Sequence, residues 1–458
     1  MVHALVVALA SSLLLAPVDL AGIDLTTPEG APAPLLPENA DRPTAAFFFG
    51  ISWCEASRHG AEPLRELIAA HGDVVHVVAV ACGDPVERAV AFMKEERLVA
   101  PLLLDPRQRS LERLGIRGLP HLVVFDRRGE VVYDGHPARR DEVQAALARA
   151  LAPDGAFAER AYVTLEEGRG VAVLDARTLA RLATVETGLK PFGVAIEPLG
   201  ARAYVTDGVA GGSLAVLDTR TNAVVARVPL GAEPHQPAIV GRRLFVPLHA
   251  EAAVGVVDLD ALVLEKKIAV PAWPHLARES GDGRVFVTCR EGPGWLVSID
   301  AAKLEVERKL PLLAVPRVPL PHAKRGLVYV TAHWLAGPLV VGTQGGPQGV
   351  LATGADPYAP EGKIAEGLAL AGDRTLLVGL EQAGEVALVD LESKAVAARV
   401  AVGRNPYWIE VSADGRTAFV SLAGEGKLAA VDLATREVRK VDVGPKPKRL
   451  AVGTVRVK

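Results

Sequence analysis

From residue 158 to residue 458 the chain repeats one pattern, about 42 residues long, seven times. RAYVTLEEGRGVAVLDART (160–178) returns as RAYVTDGVAGGSLAVLDTRT (202–221), then in related form at 243–261, 284–302, 327–345, 375–393 and 417–435. An aspartate closes the second of these strands at 175, 218, 258, 300, 390 and 432, and the fifth unit carries Gly342 near that place. Each unit reads as a short Tyr-Val-Thr type strand, a polar turn, an alternating strand, a second turn, a third strand, a Gly-x-x-Pro loop and a fourth strand. Such a unit cannot bury its apolar face alone, so neighbours must stack. Four strands per unit and seven units give a closed β-propeller, which leaves only short edges. The six aspartates precede turns, where the side chain accepts backbone N–H bonds. Turn chemistry is therefore their expected role, ahead of metal binding or catalysis.

Closure is also legible. The first unit starts at its second strand, near Arg160, and lacks an innermost strand, while the chain end KPKRLAVGTVRVK reads as an innermost strand with no successors. Arg449–Val455 is therefore predicted to pair with Ala161–Thr164 and fasten the ring. These repeats resemble the YVTN-type, surface-layer-like propellers over nearly 300 residues, with an insertion in the fifth at 345–363.

Composition narrows the function. Of 458 residues, 50% are apolar, enough for a sizeable core, and 44 Gly with 33 Pro suit many short strands and turns. Lys and Arg number 51 against 54 Asp and Glu, a net charge of −3, which argues against a nucleic-acid partner. Three cysteines exclude a disulfide scaffold and a four-cysteine zinc site. Residues 4–16, ALVVALASSLLLA, are too short to span a bilayer and fit the core of a signal peptide over 1–21, although no Lys or Arg precedes them. Export to the periplasm or outside the cell is expected, with no transmembrane anchor after signal removal. A Pro-rich lead-in, 28–43, follows.

Residues 22–152, with a core from about 44, alternate strand and helix and finish with a hairpin and a helix, an α/β sheet with an antiparallel end. The Trp53-Cys54 pair after a buried strand, Ser57-Arg58 beyond it, the Gly118-Leu119-Pro120 loop and FDRRGEVV behind it resemble TlpA-like thioredoxins over about 110 residues. The resemblance implies a cis Pro120 packed opposite Cys54. Where that family has its second cysteine, this chain has Ser57. A serine cannot release a mixed disulfide as a second thiolate does. Cys54, at an expected helix N-terminus beside Arg58 and His59, still has a setting that favours a thiolate. Three readings stay open: a docking domain of redox origin, a one-thiol or peroxide-reactive site, and an oxidoreductase in which Cys82, at the end of the next parallel strand, resolves Cys54. His121 is a further neighbour of the thiol.

In the propeller, function is sought where the repeats differ. Two positions per unit should face one end of the ring. The loop after the Tyr-Val-Thr strand carries Glu166, Gly208, His249, Arg290, His333, Glu381 and Ala423, with Cys289 beside Arg290. The position after Pro in Gly-x-x-Pro carries Phe192, His235, His275, an undetermined residue, Glu366, Tyr407 and Lys448. His235, His249, His275 and His333 thus map to one face, and Trp334 and Trp408 are expected as apolar walls. Converging imidazoles suit copper or zinc, or a ligand pocket, or an ordinary wet entrance; no compact HxH or HExxH spacing points to the metal. His322 maps to the opposite edge. The reading is an exported binding or scaffold protein that takes a protein or small molecule at its propeller mouth. The alternative is an envelope thiol oxidoreductase using Cys54, or a metal-dependent propeller enzyme.

Overall fold

The structure, a computed structural model, describes residues 23–37, 42–50, 55–72, 74–151, 157–197, 199–354 and 365–457. The expected signal segment, Trp53-Cys54 and part of the fifth-unit insertion lie outside the described residues. The chain divides into two compact units after Pro137. Helix Arg140–Leu151, expected to close the first domain, is grouped with the second unit by this division.

In the first unit, β1 (Thr44–Phe49), β2 (His76–Cys82) and β3 (Leu102–Asp105) run parallel, and β4 (His121–Phe125) and β5 (Val131–Gly135) close the sheet antiparallel in the order β3-β2-β1-β4-β5. β1 and β2 are buried along nearly their whole length, as expected of strands covered on both faces. A 3₁₀ turn over Glu55–Gly60 leads into α1 (Ala61–His71), whose apolar residues Leu64 and Leu67 face the core. α2 (Val86–Glu95) and the short α3 (Arg109–Arg113) follow. The Leu119–Pro120 bond is cis, as the resemblance implied. This is a thioredoxin-like α/β domain.

The second unit is a seven-bladed propeller. Seven four-stranded antiparallel sheets follow one another, each a run of sequential strands except the first. Blade 1 combines three strands from Phe157–Leu165, Gly170–Asp175 and Arg181–Glu186 with the chain end, Pro447–Arg456, as its innermost strand. The register pairs Leu450 with Val163, Ala451 with Tyr162 and Val452 with Ala161, so the predicted clasp is present. The innermost strands of the next six blades begin near Pro191, Pro234, Pro274, Pro316, Ala365 and Pro406.

The repeated aspartates act as expected. Asp218, Asp258, Asp300, Asp390 and Asp432 each accept two backbone N–H bonds from the turn that follows, and Asp175 accepts one from Thr178. The repeated threonine has a role that its strand-forming propensity hides. Thr206 Oγ1 accepts the N–H of Gly193 in its own blade (2.9 Å) and donates to the carbonyl of His235 in the next (3.0 Å). Thr331 does the same between Val318 (3.1 Å) and Glu366 (2.9 Å), and Ser421 between Trp408 (3.1 Å) and Lys448. Thr288 reaches the carbonyl of Arg317 (2.7 Å) and Thr164 lies 3.4 Å from that of Phe192. In five of the seven blades one buried hydroxyl thus staples the next blade's innermost strand at the residue that faces the axis; blades 3 and 6 carry Pro247 and Gly379 at that place.

Candidate functional site at the axial mouth

The residue after each innermost-strand proline, or after Ala365 in blade 6, forms a ring at one end of the axis. Around the ring stand Lys448, Phe192, His235, His275, Arg317, Glu366 and Tyr407, from blades 1 to 7. Arg317 is the residue that the repeat pattern left undetermined; Pro316 stands before it as in the other units, but Leu313 replaces the glycine of Gly-x-x-Pro and several prolines crowd the segment. Close approach of neighbouring strands shapes the ring: a Cβ on Gly193 would come within 2.6 Å of the Gln236 Cα. The Gln236 amide ties blades 2 and 3 instead, accepting the Val194 N–H (3.2 Å) and donating to the Val194 carbonyl (2.9 Å).

One side of the mouth is built of imidazoles. His235 lies flat on Phe192 (centroids 3.8 Å apart) and His249 lies flat on His235 (4.3 Å). The Nδ1 atoms of His235 and His275 are 2.8 Å apart. His249 Nδ1 is 3.1 Å from the Pro274 carbonyl, which can only accept, so that nitrogen carries the proton. Burial holds His235 and His275 well below the usual imidazole range; His249 adds to this at His235, and Arg290 at His275. His249 is lowered too, again mainly by burial. The three rings are therefore neutral at pH 7.

The other side is cationic. Arg449, one step deeper than Lys448, is 1% exposed. Its guanidinium lies 4.3 Å from the Phe192 ring and 5.2 Å from both Tyr407 and Trp408. Arg317 pairs with Glu366 (2.5 Å) and reaches the Tyr407 hydroxyl (3.3 Å). Lys446 and Lys448 both pair with Glu166 (2.9 and 3.0 Å). Among the described residues, Arg290 and Arg449 have no ion pair. Burial, then the charge of Arg317, lowers Arg290 to about 10, which leaves it a cation at neutral pH. Burial raises the Glu366 carboxyl against the pull of Arg317 and Arg449. Any proton that Glu366 takes up makes the mouth more positive. Polar atoms with no hydrogen bond collect here: Arg449 Nε and Nη1, Arg317 Nε, Glu366 Oε2 and His275 Nε2.

The mouth corrects two expectations. His333 is not part of the cluster that the other three histidines form; its Nε2 is bound by Arg317 Nη1 (3.0 Å). Trp408 is not a wall of the open mouth but lies below the ring, 1% exposed, with Arg278 4.7 Å from its ring and its Nε1 bonded to Glu410 (2.8 Å). Trp334 stays at the rim, 66% exposed. Tyr407 and Glu366 do line the mouth. His322 is at the far end of its strand, bonded to the Asp373 carbonyl (3.1 Å). Cys289 is buried among apolar side chains, its thiol pushed up to about 12 by burial.

In the thioredoxin-like domain, Cys54 is outside the described residues. Ser57 is fully buried and accepts the Gly50 N–H (3.1 Å), so its hydroxyl is spent on the backbone. Gly60 packs directly on Pro120, where a Cβ would come within 2.7 Å of the proline ring. Cys82 lies in the apolar core, and burial, then the charge of Asp105, raises its thiol far above neutrality. Thiol exchange needs a thiolate, so the native packing does not favour Cys82 as a resolving group. His121 pairs with Asp134.

Residues 29–134 match the AhpC/TSA family model. No curated protein is significantly similar in sequence to this chain. The propeller is similar to solved structures. Hydrazine synthase of Kuenenia stuttgartiensis is 18% identical, with a TM-score of 0.55 over 62% of this chain and 94% of that one. A "putative 6-phosphogluconolactonase" of Bacteroides uniformis is 14% identical, with a TM-score of 0.55 over 65% and 99%. A like-named Bacteroides fragilis protein is 13% identical, with a TM-score of 0.53 over 64% and 98%. At these identities the likeness concerns the fold.

Proposed function

From a thioredoxin-like domain joined to a seven-bladed propeller, we propose an exported binding protein whose propeller mouth captures a small anionic ligand, a carboxylate or phosphate. The observation that carries this reading is the pair of guanidiniums at the mouth, Arg290 and Arg449, that have no carboxylate partner among the described residues. Buried charges are ordinarily paired, because desolvation without compensation costs several kcal/mol (roughly) per ion. Arg290, half-buried in the loop after its strand, is the accessible contact, and a guanidinium suits bidentate recognition of an oxyanion. Arg449 acts from below as fixed positive potential. Phe192 and Tyr407 exclude water from it.

In this reading the thioredoxin-like domain is an adaptor of redox origin. Its support is Ser57, a backbone-bonded serine where a second thiol would be needed. Export rests on the apolar segment at 4–16. Among the described residues no helix is long and apolar enough to cross a membrane.

The test is thermal unfolding with 10 mM citrate, succinate or inorganic phosphate at fixed ionic strength. At least one should raise the Tm of the wild type, since a ligand at 100 times its Kd adds about 2.7 kcal/mol. Arg290→Gln should abolish the shift. No shift with any of the three, or an equal shift in the variant, would overturn the reading.

A further inference from the structure

We propose that His235, His249 and His275 form a binding site for a divalent transition metal, zinc or copper(II), on the imidazole side of the mouth. One ring nitrogen from each residue lies within 4.8 Å of the other two. A tetrahedral zinc with nitrogens at ~2.05 Å sets its ligands about 3.3 Å apart, and because His249 lies flat on His235 (interplanar angle 13°), binding requires the rings to rotate out of their stack as well as to draw together. The three residues come from two adjacent blades. His235 and His275 occupy ring positions, and His249 the loop above His235.

Proton placement suits a metal. The Pro274 carbonyl holds the proton of His249 on Nδ1, which leaves Nε2 as a lone pair. A carbonyl behind an imidazole is the usual outer support of a metal-bound histidine. His235 and His275 share one proton between Nδ1 atoms 2.8 Å apart. When His275 supplies that proton, its Nε2 is also a lone pair; His235 then accepts at Nδ1, so it becomes a ligand only when this hydrogen bond gives way to the metal. The His275 Nε2 is buried, lacks a hydrogen-bond partner, and belongs to a side chain 4% exposed. An unpartnered buried ring nitrogen costs free energy that a metal ion would remove. Three neutral nitrogens without thiolate or carboxylate favour zinc or copper(II) over magnesium or calcium.

The arginines set a limit. Arg290 and Arg449 oppose a bare dication, so the fourth position suits an anionic or hydroxide ligand. The site goes beyond the anion reading and does not require it. Arg290→Gln separates the two: it should lose the citrate or phosphate shift but keep zinc, bound at least as tightly.

The experiment uses the full chain freed of metal with EDTA. Zinc is titrated by calorimetry, and cobalt(II) by absorbance as a geometric probe. One equivalent should bind. Cobalt should give the intense visible bands of a four-coordinate site without the near-ultraviolet sulfur band that cysteine ligation would add. His249→Ala and His275→Ala should each weaken zinc at least tenfold, and His333→Ala should not. Should His275→Ala fail to fold, His249→Ala decides, because His249 is only half-buried. Absence of wild-type binding, a sulfur band, or unchanged affinity in folded His249→Ala would overturn the proposal.

Discussion

In the proposed binding role Arg449 would act at the expense of stability. It holds a buried charge against three aromatic rings, with Nε and Nη1 unpartnered. Replacing a buried, uncompensated charge with an apolar residue of similar length is often neutral or stabilising. Arg449→Met should therefore melt at or above the wild-type temperature in chemical or thermal unfolding, while losing the citrate or phosphate response. A large destabilisation would show that its charge is already compensated. The stapling hydroxyls behave oppositely. Thr331→Val leaves the Val318 N–H without an acceptor and the Glu366 carbonyl without a donor, a cost of about 1–3 kcal/mol in urea unfolding. Glu159 gives a pH signature. Burial raises its carboxyl, while the Ala413 N–H (2.8 Å) opposes the shift. A carboxyl raised in the folded state binds more protons there than in the unfolded chain. Its contribution therefore falls as pH rises from the ordinary carboxylate range. Glu159→Gln, which keeps an acceptor for Ala413, should stabilise the protein at pH 7 and much less at pH 4.

At the scale of elements, the sequence shows most where a residue repeats and least where a loop departs from the pattern. The strand pairing Leu450 with Val163 is legible because the first unit lacks one strand and the chain end supplies one. Helix Ala61–His71 is legible from its composition and apolar spacing. Arg317 is missed, although it follows Asp300 at the step that separates Asp258 from His275, because Leu313 replaces the glycine of Gly-x-x-Pro and the prolines at 311, 316, 319 and 321 offer competing registers. Arg449 is hidden for a different reason. It sits one residue past the ring, at a position held by Gly193, Gln236, Leu276, Val318, Gly367 and Trp408 in the other blades, so no pattern singles it out. The threonine staple is recorded in the sequence as Thr164, Thr206, Thr288, Thr331 and Ser421, but strand propensity explains those residues equally well. His333 lies outside the imidazole cluster, its Nε2 bound by Arg317, which spacing alone does not reveal. Removing residues 447–458 deletes the clasp strand and exposes the edge of blade 1. That truncation should lower both melting temperature and solubility; unchanged values would mean the clasp does not hold the ring.

At the scale of the whole molecule, closure assembles the candidate site. Phe192 and Arg449 are far apart in sequence, yet their side chains stack because the chain end returns to blade 1 beside blade 2. Seven blades deliver seven different side chains to one ring, and the strands behind them hold those side chains in place through backbone pairing. The mouth divides into a neutral imidazole side and a cationic side, and the ligand readings follow from that division. Diffraction from crystals soaked in selenate, an oxyanion with a strong anomalous signal, tests this most directly. An anomalous peak at the Arg290 guanidinium inside the axial mouth, lost in Arg290→Gln crystals, is the expected result. Peaks confined to the outer faces of the blades, with the mouth devoid of selenate, would contradict it.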